Sequence, residues 1–239
     1  MDPTNLGEHI HHQFDRELES LRNRVVSMGG LAERQVNDAL SALKEQNAEL
    51  AEYVIRTDHR VNAQEVSIDE DCTYILARRQ PAAGDLRMVM AIIKTITDIE
   101  RIGDESEKIA HISMGLATSS FPGMDLLMQQ IDVMGRMVLS LLRDALDTFV
   151  RMDVLAAVQV ARRDEDIDKL YVALLTDLIQ HIKADPKDTE EFQSLIWVAR
   201  SLERIGDHSK NICEYVIYLV KGKDVRHTTI DQIEQEIGA

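Results

Sequence analysis

The chain has 239 residues and a formal net charge of −15; apolar residues make up 44% of it and aromatic residues only 4%. The length suits one large domain or two of ordinary size. The acidic charge argues against nucleic-acid binding and against an anionic membrane surface as partner, because nucleic-acid affinity rests on Lys and Arg. No stretch approaches the ~20 apolar residues of a membrane span. The start Met1–Ile10 has no apolar signal region, so the sequence predicts a cytoplasmic protein without direct membrane insertion.

Apolar periodicity and the breaks between periodic stretches predict six long helices. Pro81, Pro122 and Pro186 mark three of the breaks, and Thr118–Gly123 is the strongest loop signal. Three amphipathic helices on either side of that loop indicate an all-α fold of two pseudo-symmetric, antiparallel three-helix bundles. The bundles are predicted over residues 7–117 and 124–222, followed by a polar, fraying tail over 223–239. The six predicted helices are Gly7–Lys44, Glu49–Arg79, Asp85–Leu116, Asp125–Val150, Val154–Ala184 and Thr189–Lys221.

An internal repeat relates the two halves. Leu202–Asp207 repeats Ile99–Asp104 with one conservative change, 103 residues further along the chain. Each copy places a Glu and an Asp four residues apart, which makes them neighbours on one face of a helix. A second pair of polar residues, also four apart, repeats at a nearly equal offset, with Asp58 and Asn62 matched by Asp164 and Asp168. The second helix and the third helix of each half therefore belong to one duplicated hairpin.

These acids fall on the apolar side of their helices. At ~100° of rotation per residue, Glu100 continues the apolar stripe of the third helix and Asp104 lies at its edge. Glu203 and Asp207 repeat this arrangement in the sixth helix. Charges are rarely buried without a partner, so Arg or Lys side chains or a metal ion must balance them. The ligand set predicted for a metal is Glu100, Asp104, Glu203, Asp207, Asp58, Asn62, Asp164 and Asp168.

A carboxylate site of this kind favours Mg, Mn, Fe or Ca, and Zn remains possible. Two alternatives stay open. A carboxylate-ligated metalloenzyme would need a base and an open coordination position, and no His has the spacing for that role. A metal-free structural scaffold would pair every acid with Arg or Lys. The same rotation predicts that Glu105 turns away from the acids, and His208 is predicted to be a surface residue.

The sequence resembles those of the PhoU family of phosphate-uptake regulatory proteins. The resemblance covers about residues 7–227. It implies paired three-helix bundles and a cytoplasmic adaptor that is not an enzyme and that negatively regulates the phosphate regulon. The segments that carry it are Met28-Gly29-Gly30, Asp58 with Asn62, Ala77–Arg87, both Glu-Arg-Ile-Gly-Asp copies, and Asn211–Glu214 ahead of Val220–Gly222.

The resemblance also implies partners and a cofactor. The partners it implies are the sensor histidine kinase of the phosphate regulon and the ATPase subunit of the phosphate ABC transporter, and a homodimer is predicted. The cofactor is a divalent or multinuclear metal on the repeated acids. Asn62 stands where the second repeat has Asp168, so the two sites need not be equal. Pro81, Asp85 and Arg87 have no counterpart in the second half, and are either a partner contact or a helix start with Asp85 as N-cap.

Overall fold

The computed structural model describes residues 3–116, 124–184, 186–226 and 228–237, and the side chains from Gln13 to Gln235 within those ranges. All regular structure in these ranges is helical. A short 3-10 helix over Pro186–Asp188 precedes the eighth α-helix. The α-helices are α1 (Pro3–Glu45), α2 (Ala48–Thr57), α3 (His59–Arg79), α4 (Ala83–Leu116), α5 (Met124–Arg151), α6 (Val154–Arg162), α7 (Asp164–Ala184), α8 (Thr189–Lys221) and α9 (Ile230–Ile237).

Two bundles of pseudo-equivalent helices form the protein, as predicted. Helices α1 to α4 make the first bundle and α5 to α8 make the second, and α4 packs extensively against α8 between them. The core is aliphatic, with Phe149 as its largest fully buried side chain. The loop signal at Thr118–Gly123, which separates the predicted domains, lies outside the described residues. No helix within the described ranges is both long enough and apolar enough to span a lipid bilayer.

Glycines bring α1 and α5 into close contact in a reciprocal way. A Cβ atom on Gly29 would lie 2.6 Å from Leu146 Cδ2, and one on Gly135 would lie 2.8 Å from Leu40 Cδ2. Gly29 and Leu40 of α1 are matched, 106 residues later, by Gly135 and Leu146 of α5. The leucine that packs on each glycine therefore comes from the other helix, and the two leucines occupy equivalent positions. This reciprocity places a pseudo-two-fold axis between the halves.

The turns that follow α1 and α5 are also equivalent. Gln46 and Met152 each adopt a positive φ, at 51° and 52°. The next residue in each turn caps the following helix: Asn47 Oδ1 accepts from the Leu50 amide and Asp153 Oδ1 accepts from the Ala156 amide, both at 3.0 Å. These side chains satisfy helix N–H groups that have no partner within the helix.

Two of the six predicted helices are divided. The predicted Glu49–Arg79 helix is split at Asp58 and the predicted Val154–Ala184 helix is split at Arg163. Both residues keep right-handed helical torsions, with φ of −54° and −67°. The backbone tightens locally there, since the Val61 amide donates to Asp58 O at 2.9 Å. The split places Asp58 and Asp164 at the start of α3 and α7.

The structure corrects two further expectations. Helix α4 begins at Ala83, so Asp85 lies in its first turn and is not its N-cap. The chain after Lys221, expected to fray, contains α9, which packs against α6. Val225, Ile230 and Ile233 of this segment are buried, and these apolar contacts hold it to the second bundle.

Candidate metal centres

Glycines on α4 and α8 allow an acidic side chain to approach each helix closely. A Cβ atom on Gly103 would lie 3.2 Å from Asp58 Oδ1, and one on Gly206 would lie 2.9 Å from Asp164 Oδ1. Glycine costs roughly 1 kcal/mol relative to alanine inside a helix. In both halves this residue gives the carboxylate at the start of α3 or α7 room beside the helix that carries the Glu-Arg-Ile-Gly-Asp repeat.

We call the acids around Gly103 the first acidic cluster. Ligand oxygens of Asp58, Asp104 and Glu107 all lie within 4.8 Å of one another. Among the described residues this is the one group of three or more acidic, His or Cys side chains that converges so closely. The members of the first acidic cluster are Asp58, Glu65, Glu100, Asp104 and Glu107.

Two amide side chains hold Asp58 in place. Gln35 Nε2 donates to Asp58 Oδ1 at 3.2 Å, and Asn62 Nδ2 donates to Asp58 Oδ2 at 2.9 Å. The carbonyl oxygens of both amides, Gln35 Oε1 and Asn62 Oδ1, are buried and accept no hydrogen bond from the described part of the chain. Since Gln35 is 7% exposed, its carbonyl oxygen has little access to water. Buried acceptors of this kind require a donor or a cation.

Three members of the first acidic cluster have raised pKa values. Burial raises the pKa of Glu100, and the charge of Asp104 raises it further. Burial likewise raises the pKa of Asp104, with Asp58 adding to the effect. The pKa of Glu65 is raised for the same first cause, burial. A bound cation would remove this mutual repulsion.

The second acidic cluster comprises Asp164, Asp168, Glu203 and Asp207, around Gly206. Basic side chains enter it. Lys210 Nζ lies 3.0 Å from Asp164 Oδ2, and Arg200 Nη1 lies 2.9 Å from Glu203 Oε1. Asp164 is only 1% exposed, and its second oxygen accepts no hydrogen bond from the residues that the structure describes.

Burial also raises the pKa values of three acids in the second acidic cluster. It raises the pKa of Asp164 to about 6, although Lys210 acts in the opposite direction. Burial and the Asp207 charge raise the pKa of Glu203. Burial raises the pKa of Asp207 too, with Lys210 opposing. For Lys210 itself, burial alone would lower the pKa, but Asp164 and Asp207 raise it overall.

The predicted ligands therefore gather in two places, one in each half, but they are not equally suited to bind a metal. Glu107 converges with Asp58 and Asp104 but was missing from the predicted ligand set; its position one helical turn after Asp104 was the available signal. Asn62 orients Asp58 with its amide nitrogen. Asp168 is exposed, while Asp164 is the most buried acid of its cluster.

The prediction for His208 was wrong. His208 is buried, and its Nδ1 lies 2.7 Å from Asp98 Oδ1. Asp98 also accepts hydrogen bonds from Tyr215 Oη at 2.7 Å and from Asn211 Nδ2 at 3.1 Å. These contacts join α4 to α8.

Glu105 turns away from the acids, as predicted, but it is buried against α8. Its Oε2 accepts from Ser201 Oγ at 2.8 Å, and its Oε1 lies 2.9 Å from Lys108 Nζ and 3.2 Å from Arg204 Nε. Because α4 and α8 each pack on more than one side, a residue opposite the acidic face is still inside the protein.

The one-sided Pro81–Arg87 segment lies beside the end of α8. Arg87 Nε donates to the Leu219 carbonyl oxygen at 3.4 Å, and its guanidinium carbon lies 3.7 Å from where a Cβ atom on Gly222 would be. A cation at a helix C-terminus interacts favourably with the helix dipole. Asp85 is exposed, whereas Pro81 and Arg87 are half-buried. Arg87 thus makes a contact within the chain, and Asp85 is the member of the predicted partner contact that is open to solvent.

The donor chemistry of the first acidic cluster fits a hard cation. Carboxylate and amide carbonyl oxygens are the ligands preferred by Mg²⁺, Ca²⁺ and Mn²⁺, whereas thiolates would favour softer ions. Both cysteines, Cys72 and Cys213, are buried, and burial raises the pKa of each to about 12, so neither offers a thiolate.

The model of the PhoU domain matches the chain twice, over residues 25–113 and 131–216. The phosphate-specific transport system accessory protein PhoU of Serratia marcescens is 45% identical over 235 residues, which cover 98% of this chain and 96% of that protein. The crystal structure of PhoU from Pseudomonas aeruginosa superposes with a TM-score of 0.84 at 43% identity, covering 88% of this chain and all of that one. The crystal structure of the phosphate transport system regulatory protein PhoU from Streptococcus pneumoniae gives a TM-score of 0.82 at 32% identity, covering 89% of this chain and 99% of that one.

Proposed function

Since this chain belongs to the PhoU family, we propose that it is a metal-binding accessory protein that regulates phosphate transport. The observation that carries the regulatory part is the full-length similarity to accessory and regulatory proteins of phosphate transport systems. Those relatives are named as accessory or regulatory proteins and not as enzymes, and this chain is not an enzyme. The metalloenzyme alternative is thereby set aside.

The convergence of Asp58, Asp104 and Glu107 supports the metal-binding part of the proposal. A divalent cation would offset both the burial of Asp104 and the repulsion that the Asp58 charge exerts on it. The buried oxygens of Gln35 and Asn62 offer further ligands. The remaining alternative, a metal-free scaffold, would need Arg or Lys on these acids, and that condition is met better in the second acidic cluster than in the first.

We further propose negative regulation of the phosphate regulon through two contacts, one with the sensor histidine kinase and one with the ATPase subunit of the phosphate transporter. A cytoplasmic site of action follows from such partners. The exposed residues of the Pro81–Arg87 segment are our candidate surface for one contact, because this segment has no equivalent in the second half. The homodimer also remains a prediction, and light scattering on the purified chain would test it.

One pair of variants tests the metal and regulatory parts together. Glu100→Ala with Asp104→Ala should lower the Mn content of the dialysed protein, measured by elemental analysis. In a bacterium that lacks its own accessory protein, the unaltered chain should repress a phosphate-starvation reporter in phosphate-rich medium, and the double variant should repress it less. The matched control is Glu52→Ala with Glu70→Ala, which removes two exposed acids outside both clusters.

The two readouts separate the parts of the proposal. Equal Mn content in the double variant and its control would refute the ligand assignment. Failure of the unaltered chain to repress the reporter would refute the regulatory role. Failure to capture either the kinase or the ATPase subunit from phosphate-replete cells would refute the proposed contacts.

A further inference from the structure

The two acidic clusters carry opposite charges at one equivalent position. Glu107 on α4 corresponds to Lys210 on α8, 103 residues later. Glu107 places its carboxylate within 4.8 Å of ligand oxygens of Asp58 and Asp104. Lys210 places its ammonium 3.0 Å from Asp164, the residue equivalent to Asp58. The same site on the helix therefore adds an anionic ligand in one half and a cation in the other.

The next residue along the helix face is also exchanged. Glu107 is followed, one turn later, by His111, whose Nε2 lies 3.7 Å from the Glu107 carboxylate. Lys210 is followed at the same spacing by Glu214, which is buried and raises the pKa of Lys210 through its charge. Along this face, α4 carries an acid followed by a histidine, whereas α8 carries a lysine followed by an acid. The positive charge of α8 therefore lies next to Asp164.

At a second pair of equivalent positions, the second acidic cluster is again more positively charged than the first. In the first half, the hydroxyl of Thr97 acts to lower the pKa of Glu65, against the larger effect of burial. Their equivalents in the second half are Arg200 and Tyr171, and the Arg200 guanidinium lies over the Tyr171 ring at 5.9 Å. Arg200 also forms an ion pair with Glu203, at 2.9 Å. The acid of the first half is thus replaced by an aromatic ring, and the hydroxyl residue is replaced by a cation.

A buried, uncharged oxygen beside the first acidic cluster has no counterpart at the equivalent position of the second half. Gln35 is more than nine-tenths buried, its carbonyl oxygen has no hydrogen-bond partner within the described ranges, and that oxygen lies 3.2 Å from the Cβ position of Gly103, beside Asp104. The residue equivalent to Gln35 in α5 is Leu141, which offers no oxygen ligand. A buried amide oxygen directed at an acidic cluster suits a cation with hard oxygen ligands.

We propose that the two acidic clusters are unequal cation sites: the first binds a divalent cation of the Mn²⁺, Mg²⁺ or Ca²⁺ class, and in the second the Lys210 ammonium takes the place of that cation. The inference rests on the metal binding proposed above. The second acidic cluster keeps a reduced capacity for ions, because Asp164 Oδ1 and Glu203 Oε2 remain without a partner among the described side chains. Lys210 is one-third exposed, so its side chain has a path to solvent.

Calorimetric titration of the metal-free chain with Mn²⁺ tests this inequality. The unaltered chain should bind Mn²⁺ at one tight site per chain and, at most, at one much weaker class of sites. Lys210→Glu, which installs the residue of the first half, should tighten the weaker class by at least about tenfold, because a repelling unit charge near 4 Å is replaced by a ligand. Lys210→Gln, which removes the charge alone, should give a smaller change in the same direction.

Two further variants complete the design. Glu107→Lys should abolish the tight class while the helices, followed by circular dichroism, remain intact, since Lys210 already occupies the equivalent place. Combining Glu107→Lys with Lys210→Glu should restore one tight class, now in the second half. Lys169→Gln is the matched control; it removes an exposed lysine of α7 that pairs with Asp166 on the surface.

Each outcome bears on a separate claim. One tight Mn²⁺ site in the unaltered chain, joined by a tightened second site in Lys210→Glu, supports the inference. Two sites of equal affinity in the unaltered chain, with affinities that Lys210→Glu does not change, would overturn the inference and leave metal binding in place. No Mn²⁺ binding by the unaltered chain would overturn the metal-binding proposal itself, and the inference with it.

Discussion

The packing contacts of the two halves are equivalent, whereas their polar faces are not. Gly29 and Gly135 receive equivalent leucines at nearly equal distances. Glu107 and Lys210 occupy equivalent places and carry opposite charges. Buried contacts are constrained by close packing, which tolerates few changes of volume. Half-exposed polar positions change stability little when they are replaced. A duplicated helical unit can therefore keep one architecture while its halves acquire different binding properties.

The interface between α4 and α8 shows the same division. Asp98 contacts His208, and the equivalents of these two residues, Ser201 and Glu105, also contact each other. The pseudo-two-fold axis thus relates one buried polar pair to the other. Their surroundings differ, because the donors to Asp98 include the buried His208 and Tyr215. The donors to Glu105 include the exposed cations Lys108 and Arg204.

The largest effect that we expect comes from breaking this interface at Asp98. Asp98→Ala leaves two buried donors without an acceptor and should lower the free energy of unfolding by about 3–4 kcal/mol. Glu105→Ala, at the related position, should cost less, about 1–2 kcal/mol, because only the Ser201 hydroxyl loses a buried acceptor while the two exposed cations regain water. Urea unfolding of the two variants measures both values. Equal losses would show that burial of the donors does not decide the energetics of this interface.

The repeat itself predicted much of the fold and the location of the clusters. The rotation of ~100° per residue predicted that Glu100 and Glu203 point inward, because that prediction needs only the sequence of a single helix. The division of the second and fifth predicted helices left no signal, because Asp58 and Arg163 retain helical torsions and neither is Gly or Pro. The ion pair of Asp164 with Lys210 joins residues that lie far apart in sequence, so the pattern of neither helix contains it.

His208 shows why a single-stripe interpretation of α8 failed. The interpretation assumed one buried face, but α8 is surrounded by α4, α5, α6 and α7. Residues 212–217 of α8 are buried on every side of the helix. All of these residues except Glu214 are apolar or aromatic, and a run of that kind on all faces is typical of a central helix. That run was the available signal that a histidine one turn earlier would also lie inside the protein.

A smaller effect should distinguish Asp164 by the pH dependence of stability. Because burial raises the pKa of Asp164 to about 6 from its usual 3.8, the cost of its buried charge is fully present above pH 6. That cost is relieved as the pH falls through 6. Between pH 7.5 and pH 5, the metal-free chain should gain about 1 kcal/mol of stability relative to Asp164→Asn.

Thermal unfolding in the presence of a chelator, at both pH values, measures this difference. Asp166→Asn removes an exposed carboxylate from the same turn of α7 and is the control for general effects of charge. If Asp164→Asn followed the pH dependence of the unaltered chain in parallel, the buried charge of Asp164 would carry no such cost. The second acidic cluster would then be neutralised by Lys210 more completely than its geometry indicates.

The smallest effect concerns positions where the two halves should behave identically. Asn47 and Asp153 cap α2 and α6 through hydrogen bonds of equal length. Asn47→Ala and Asp153→Ala should each lower the free energy of unfolding by about 1 kcal/mol, a typical value for the loss of an N-cap. Unfolding in urea should therefore give the same midpoint for both variants. Clearly different midpoints would mean that the turns after α1 and α5 differ energetically although their geometry is shared, and that the divergence between the halves extends from the acidic clusters into the architecture.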